Sequence, residues 1–315
     1  MNPKPSRLRK LSTIIRENPK FVMMRVPGRF RWVKAAVRFA SNMTHRKAWN
    51  GLRVELKKRT QESVFPHVDT TRFTADLKEK GVAFGLTLPA PIVDSICEFA
   101  QRAPCYADRN PALGFPLQQR QQAEATLGKP ILLAQYMNTA FDCAEIRALT
   151  EDPVLRLIAA EYLGGLPTLV GTSLWWTFPV QASEQDRMKH AHYFHSDVDD
   201  FAFVKFFFYL SDVDAGDGSH VCVPRSHHQR PHVNLSDRWK IRRYTDAEIE
   251  GIYGAEGVLD IPGVKGTGFA EDTYCVHKGT TPQHKPRLLL QIQYALFDYR
   301  NQHDEVATSR LGSLL

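Results

Sequence analysis

Cysteine is scarce in this chain of 315 residues: Cys97, Cys105, Cys143, Cys222 and Cys275 are an odd number with no C-x-x-C spacing. That excludes a disulfide framework or a zinc ribbon, and each thiol reads as a small apolar filler. Long hydrophobic runs are missing too. No stretch approaches the ~18 apolar residues of a spanning helix, and the first residues lack the apolar segment of a secretory signal. A cytoplasmic setting is expected. Low-complexity sequence is also missing: with 19 Pro, 19 Gly, 24% charged and 43% hydrophobic residues, a folded enzyme-sized chain with a sizeable core is expected.

Acidic residues are nearly absent from residues 1–60, where 17 Lys or Arg face only Glu17 and Glu55, a balance of +15 within a net charge of +7. The remainder carries −8. Such a basic arm seeks an anionic partner, with lipid headgroups and nucleic acid as the usual candidates. Within it, Arg29 to Met43 has helical periodicity. Trp32, Val33, Ala36, Val37, Phe39, Ala40 and Met43 share an apolar arc, and Arg31, Lys34 and Arg38 cluster opposite. The apolar arc is expected to dock on the body of the protein or to lie, peripherally, on an anionic membrane. Nucleic acid is disfavoured, because no zinc-finger, helix-turn-helix or RNA-recognition pattern accompanies the charge.

The spacing divides the chain into the basic arm at 1–60, a body at 80–300 and a C-terminal tail at 301–315. In the body, Val82 to Leu88 reads as a strand, Ala90 to Gln101 as a helix, and Asp152-Pro153 as the N-cap and first turn of a helix through Tyr162. Strand-like segments follow at Thr168 to Phe178, Ala202 to Leu210, His220 to Val223, Gly268 to Val276 and Arg287 to Leu296. This is a mainly β pattern with flanking helices, a sandwich or barrel. Thr245 to Glu248 forms a capping-box pattern, and Arg230 to Gly257 is placed to cover a site as a lid.

His195 and Asp197 flank one residue, so in an extended chain an imidazole and a carboxylate point to the same side. His277, after the strand-like Thr273 to Val276, is the candidate third ligand. Two imidazoles and one carboxylate leave metal positions open for a cosubstrate and oxygen, as in non-haem iron(II) oxygenases. Arg287 opens a strand whose alternate residues are Leu289, Gln291 and Gln293, and its planar fork suits a carboxylate such as the distal one of 2-oxoglutarate. Thr280 is a candidate hydroxyl for the same carboxylate. His67-Val68-Asp69 and His303-Asp304-Glu305 mimic the motif, but the first precedes the β-rich body and the second has no later histidine. His190, His192, His220, His227, His228 and His284 are read as bystanders, His192 because three residues before His195 it would face the other way.

The stretch from Trp175 through Tyr294 resembles the phytanoyl-CoA dioxygenase family of Fe(II)/2-oxoglutarate oxygenases, over roughly residues 80–300. The family's H-x-D falls on His195-Ser196-Asp197, its distal histidine on His277, its cosubstrate arginine on Arg287, and its Pro-Gly-Ser-His turn on Pro224-Arg225-Ser226-His227. Arg225 stands where glycine is usual and Ser196 where glutamine is common. The resemblance implies a double-stranded β-helix, a cupin-like jelly roll, using Fe(II), 2-oxoglutarate and O2. It also implies hydroxylation of a C–H bond, because halogenating relatives lack the carboxylate that Asp197 supplies. The substrate class stays open between a small molecule, an acyl-carrier- or CoA-linked group and a lipid-linked one, the basic helix favouring the last. A cupin-like binding protein without turnover, and an oxygenase acting on a polymer, are the alternatives. Trp175, Trp176, Tyr193, Phe194 and Phe206 are candidates for the site wall or the core.

Overall fold

A computed structural model describes residues 18–229 and 243–315. The proposed lid residues Arg230 to Arg242 therefore lie outside the described residues, as does the start of the basic arm. Among the described residues eleven strands follow one another: β1 (Val82–Thr87), β2 (Pro104–Ala107), β3 (Gly114–Pro116), β4 (Leu133–Gln135), β5 (Thr168–Thr177), β6 (Phe203–Tyr209), β7 (His220–Val223), β8 (Leu259–Ile261), β9 (Thr267–Glu271), β10 (Val276–Gly279) and β11 (Arg287–Ala295). All pair antiparallel, in an eight-stranded sheet of order β1-β9-β6-β11-β5-β4-β2-β3 and a three-stranded sheet of order β10-β7-β8. The small sheet covers part of the large one, the jelly roll expected of a cupin-like fold.

Period-two alternation sorts the side chains. On β6, Phe207 and Tyr209 join Trp175, Leu289, Phe269 and Cys222 in the layer between the sheets, whereas Val204, Phe206 and Phe208 face the other way into the core beneath the helices. The helix Pro153–Leu163 lies at the centre of that outer core, capped by the Asp152 side chain at its start and by left-handed Gly164 at its end. Thr245 and Glu248 form the expected capping box of the helix Asp246–Tyr253.

The strand expected from Gly268 to Val276 divides in two. β9 ends at Glu271, the chain turns with Asp272 Oδ1 accepting from the Tyr274 amide, and β10 restarts at Val276 in the other sheet. Its physical reason is topological: a jelly-roll chain passes from one sheet to the other through such a corner.

The basic helix runs over Arg31–Lys58; Trp32, Phe39 and Met43 of its apolar arc stay exposed, and the side that meets the body carries Arg38, Asn42, Trp49, Arg53 and buried Leu56. Arg38 donates to the carbonyls of Tyr162 and Leu163, Asn42 to that of Gly164 and Trp49 Nε1 to that of Ala160, while Arg53 pairs with Glu161. The carbonyls of Tyr162 and Leu163 are among those that a helix C-terminus leaves unsatisfied, and cations there also complement the helix dipole. The opposite side carries Trp32, Phe39, Met43 and Val54 into solvent, at 74%, 70%, 55% and 55% exposure. The C-terminal residues pack back on the body, with the amide of Leu314 donating to Gly114 and buried Asp304 accepting from Thr139.

Candidate metal centre

The two histidines are cross-strand partners. The His195 amide donates to the His277 carbonyl at 2.9 Å and the reverse bond is 2.8 Å, with ring centroids 4.3 Å apart. Asp197 is tethered by its amide to Thr273 at 2.8 Å. Asp197 Oδ1 then lies 3.6 Å from His195 Nε2, and Oδ2 3.6 Å from His277 Nε2. One ligand atom from each residue falls within 4.8 Å of the others.

The protonation states suit a metal. Each imidazole Nδ1 is 3.0 Å from a backbone carbonyl, of Tyr193 for His195 and of Cys275 for His277. A carbonyl only accepts, so Nδ1 carries the proton and Nε2 turns a lone pair toward the shared space. Burial, aided for His195 by the neighbouring His277, lowers the pKa of His195 well below its ordinary value, and burial lowers that of His277. Burial opposes ionisation of Asp197, but Lys205 and the two imidazoles hold its carboxyl well below the usual range. Two neutral nitrogens and one carboxylate fit iron(II) with open positions.

Arg287 is buried beside this space. It donates to the carbonyl of Gly218 and, at 3.0 Å, to Thr177 Oγ1, and its Nε has no partner among the described residues. Burial brings its pKa down to about 10. A largely desolvated guanidinium with a spare donor is a receptor for a carboxylate. Thr280 lies near, but its hydroxyl donates to the Ser219 carbonyl at 3.1 Å and is left as an acceptor. His192, read as a bystander, is buried 2.6 Å from Thr281 Oγ1, and after burial the Arg287 charge is the main cause of its lowered pKa. His220 is also more than a bystander: it stacks on His277 and bonds Glu271, which burial pushes up to about 8.

Sequence reasoning missed Thr177, which is paired in register with Arg287, and Lys205, which points inward from β6 to Asp197. Of the aromatic candidates, Trp175 belongs to the layer between the sheets, Phe206 and Trp176 to the outer core, and Phe194 to a separate cluster with Val221 and Val276. The mimic motifs are structural: Asp69 caps the helix Thr70–Lys80, and Asp304 bonds Thr139 and Thr172. A second His/Asp group, Asp108, Asp186 and His190, is already held by Lys129 and Lys189. No described helix is long and apolar enough to cross a membrane.

No protein-family model matches the sequence, and no curated protein matches it. Solved structures do match. HygX from Streptomyces hygroscopicus, with nickel and 2-oxoglutarate bound, is 15% identical at a TM-score of 0.51, over 77% of this chain and 94% of that one. A second HygX structure, with hygromycin B also bound, gives 14% and 0.50 over the same shares. AviO1 from Streptomyces viridochromogenes Tue57 is 18% identical at a TM-score of 0.49, over 72% of this chain and 95% of that one. The likeness to HygX shows the shared fold.

Proposed function

We propose that the protein is an Fe(II)/2-oxoglutarate-dependent dioxygenase of the phytanoyl-CoA dioxygenase type that hydroxylates a C–H bond. The observation that carries this reading is the convergence of His195, Asp197 and His277, in ligand-ready protonation states, beside the buried and incompletely paired Arg287. HygX, whose fold the chain shares, holds nickel and 2-oxoglutarate in its structure. Bound iron and cosubstrate would supply the oxidising chemistry: O2 gives one oxygen atom to the substrate C–H bond and one to succinate, and CO2 leaves. The chain's own work is to orient. His195, Asp197 and His277 would hold the metal, Arg287 would bind the distal carboxylate of 2-oxoglutarate, and Trp175 and Phe207 keep water out of the inner layer.

The exposed side of the helix Arg31–Lys58 supports peripheral contact with an anionic membrane, and with it a lipid-linked substrate. Trp32, Phe39, Met43 and Val54 are outside while Arg31, Arg46, Lys47, Lys57 and Lys58 are exposed on the same helix, the combination that binds an anionic interface. A cytoplasmic location accords with this reading.

The test is calorimetric titration of 2-oxoglutarate into the manganese(II)-loaded chain, followed by succinate formation with iron(II) and O2. Saturable, metal-dependent binding near one equivalent is expected. No binding would overturn the oxygenase reading.

A further inference from the structure

Arg109 is presented by an unusual piece of backbone. Asp108 and Arg109 are consecutive non-glycine residues in the left-handed region, at φ 57° and 59°. Side chains with a Cβ seldom adopt this conformation, and the surroundings hold the pair there. The Asp108 amide donates to the Leu133 carbonyl at 2.9 Å. Its carboxylate receives Lys129 at 2.7 Å, His190 at 3.1 Å and Lys189 at 3.2 Å. The turn directs Arg109 over the ring of Trp175, 5.7 Å from its centroid, and Trp175 lines the layer between the sheets two residues from Thr177, the partner of Arg287.

Arg109 keeps solvent access, and no hydrogen bond or ion pair ties it to another described residue. The hydrogen bond of the Asp108 amide to Leu133 sets the turn beside Thr177, the cross-strand partner of both Leu133 and Arg287, so Arg109 stands at the Arg287 end of the metal centre. Arg243 borders it from another element. It precedes Tyr244, whose backbone pairs with Phe194, and a buried guanidinium nitrogen of Arg243 has no partner among the described residues. Arg25 has a buried Nε in the same condition. Lys205 balances one of Asp197 and Asp199, and a divalent metal with dianionic 2-oxoglutarate adds no net charge. A buried guanidinium nitrogen without an acceptor is costly, so the surplus among the described residues, with the buried nitrogens of Arg243 and Arg25 unmatched, calls for a negative ligand.

We propose that the substrate carries an anionic phosphate-type group, which Arg109 and Arg243 grip at the mouth of the metal centre, with Arg25 flanking. Planar guanidinium forks bind phosphate oxygens in pairs, and two forks from separate elements fix its position relative to the metal. This deepens the oxygenase reading and rests on it for the word substrate.

The experiment is calorimetry on the full chain loaded with manganese(II) and saturating 2-oxoglutarate, which occupies Arg287. Inorganic phosphate and glycerol 3-phosphate are the probes. Arg109→Gln and Arg243→Gln should each weaken phosphate-ester binding at least tenfold and leave the 2-oxoglutarate Kd within about twofold, while Arg109→Lys should recover part of the loss. Dihexanoyl phosphatidate is the second arm: affinity above that of glycerol 3-phosphate assigns the phosphate to a lipid headgroup, and equal affinity assigns it to a soluble ester, both supporting the proposal. It is overturned if wild-type protein binds no phosphate probe, if both glutamine variants bind as wild type, or if Arg109→Gln weakens 2-oxoglutarate as much as phosphate. Failure of the oxygenase reading is seen separately, as no metal-dependent 2-oxoglutarate binding by wild type.

Discussion

Lys205 Nζ lies 2.6 Å from Asp197 Oδ2 and 3.0 Å from Asp199 Oδ2, so a buried ammonium holds the carboxylate of the candidate metal centre from behind. This leaves Oδ1 as the freer oxygen for a metal, and it ties the stability of the fold to the charge at the centre. In Lys205→Met, two half-buried carboxylates lose their counter-charge. Breaking such a pair costs about 3–5 kcal/mol, so thermal unfolding of the metal-free variant is expected several degrees below wild type. Manganese(II) bound to Asp197 would restore positive charge, so the deficit should shrink when it is added. An equal deficit with and without metal would separate Lys205 from the centre.

The ligand assignment predicts different outcomes for His195-Ser196-Asp197 and for its mimics. His195→Ala, Asp197→Ala and His277→Ala are each expected to reduce bound manganese(II) from about one equivalent to under a tenth at micromolar concentrations. His67→Ala should bind as wild type, because Asp69 serves the helix Thr70–Lys80 and not a metal. Metal content after desalting checks both halves, and retention by the triad variants would refute the assignment.

Removing Arg287 should act on the cosubstrate alone. Loss of charge-assisted bonds of about 1.5–3 kcal/mol predicts a 10- to 100-fold higher 2-oxoglutarate Kd in Arg287→Gln, with metal content unchanged. Titration of metal-loaded protein checks this; an unchanged Kd would place the distal carboxylate elsewhere.

Strands were legible as short runs rich in Val, Phe, Tyr, Leu and Ile between turn residues, as on β6 and β11, which are buried on nearly every side. The convergence of His195, Asp197 and His277 beside Arg287 was legible because the candidate residues keep chain order. What stayed hidden depends on partners distant in sequence. Lys205 looks like an ordinary break in the apolar run of β6 until Asp197 stands opposite it, and Arg109 sits in a loop whose left-handed turn no periodicity marks. The side of the basic helix that meets the body stayed open because an amphipathic pattern records two unlike faces without saying which one the body takes. Here the carbonyls of Tyr162 and Leu163 at a helix end receive Arg38, and those of Gly164 and Ala160 receive Asn42 and Trp49, which leaves Trp32 and Phe39 outside. Arg225, noted as a departure from glycine, does adopt the left-handed φ of 65° that glycine would favour, with its amide bonded to Lys80 and its guanidinium to Glu79.

Asp200 joins the start of β6 to the end of β11, accepting from the amides of Phe201 and Phe297. Burial pushes its carboxyl up to about 7, against an unfolded value of about 4. The folded state therefore binds the extra proton between those values, and its contribution to stability, present in full below pH ~4, is lost as pH rises through ~7. Glu271, raised to about 8, acts with the same sign slightly higher. Asp200→Asn keeps one of the two acceptor oxygens, which lowers stability at every pH, and removes the titration, so melting temperature against pH should flatten between pH 5 and 7 while some slope persists near pH 8. An unchanged slope would show that Asp200 is not its source.

The exposed stripe of the basic helix sets the last expectation. Trp32 and Phe39 are anchored from behind by bonds on the other side of the helix, so replacing them leaves the docking contacts of Arg38, Asn42 and Trp49 intact. Burial of a large apolar side chain is worth about 1.5–3 kcal/mol, and partial insertion of two such groups predicts that Trp32→Ser with Phe39→Ser weakens binding to vesicles rich in phosphatidylserine by tenfold or more. Wild-type binding should also fall steeply with salt, because the exposed cations attract the surface over about a Debye length. Neutral phosphatidylcholine vesicles should bind little of either protein. Co-sedimentation checks these outcomes together with melting temperature, which should move little. If the double variant binds anionic vesicles as wild type does, the stripe is not the membrane contact; if it melts several degrees lower, the two side chains support the fold and the helix does not dock as described.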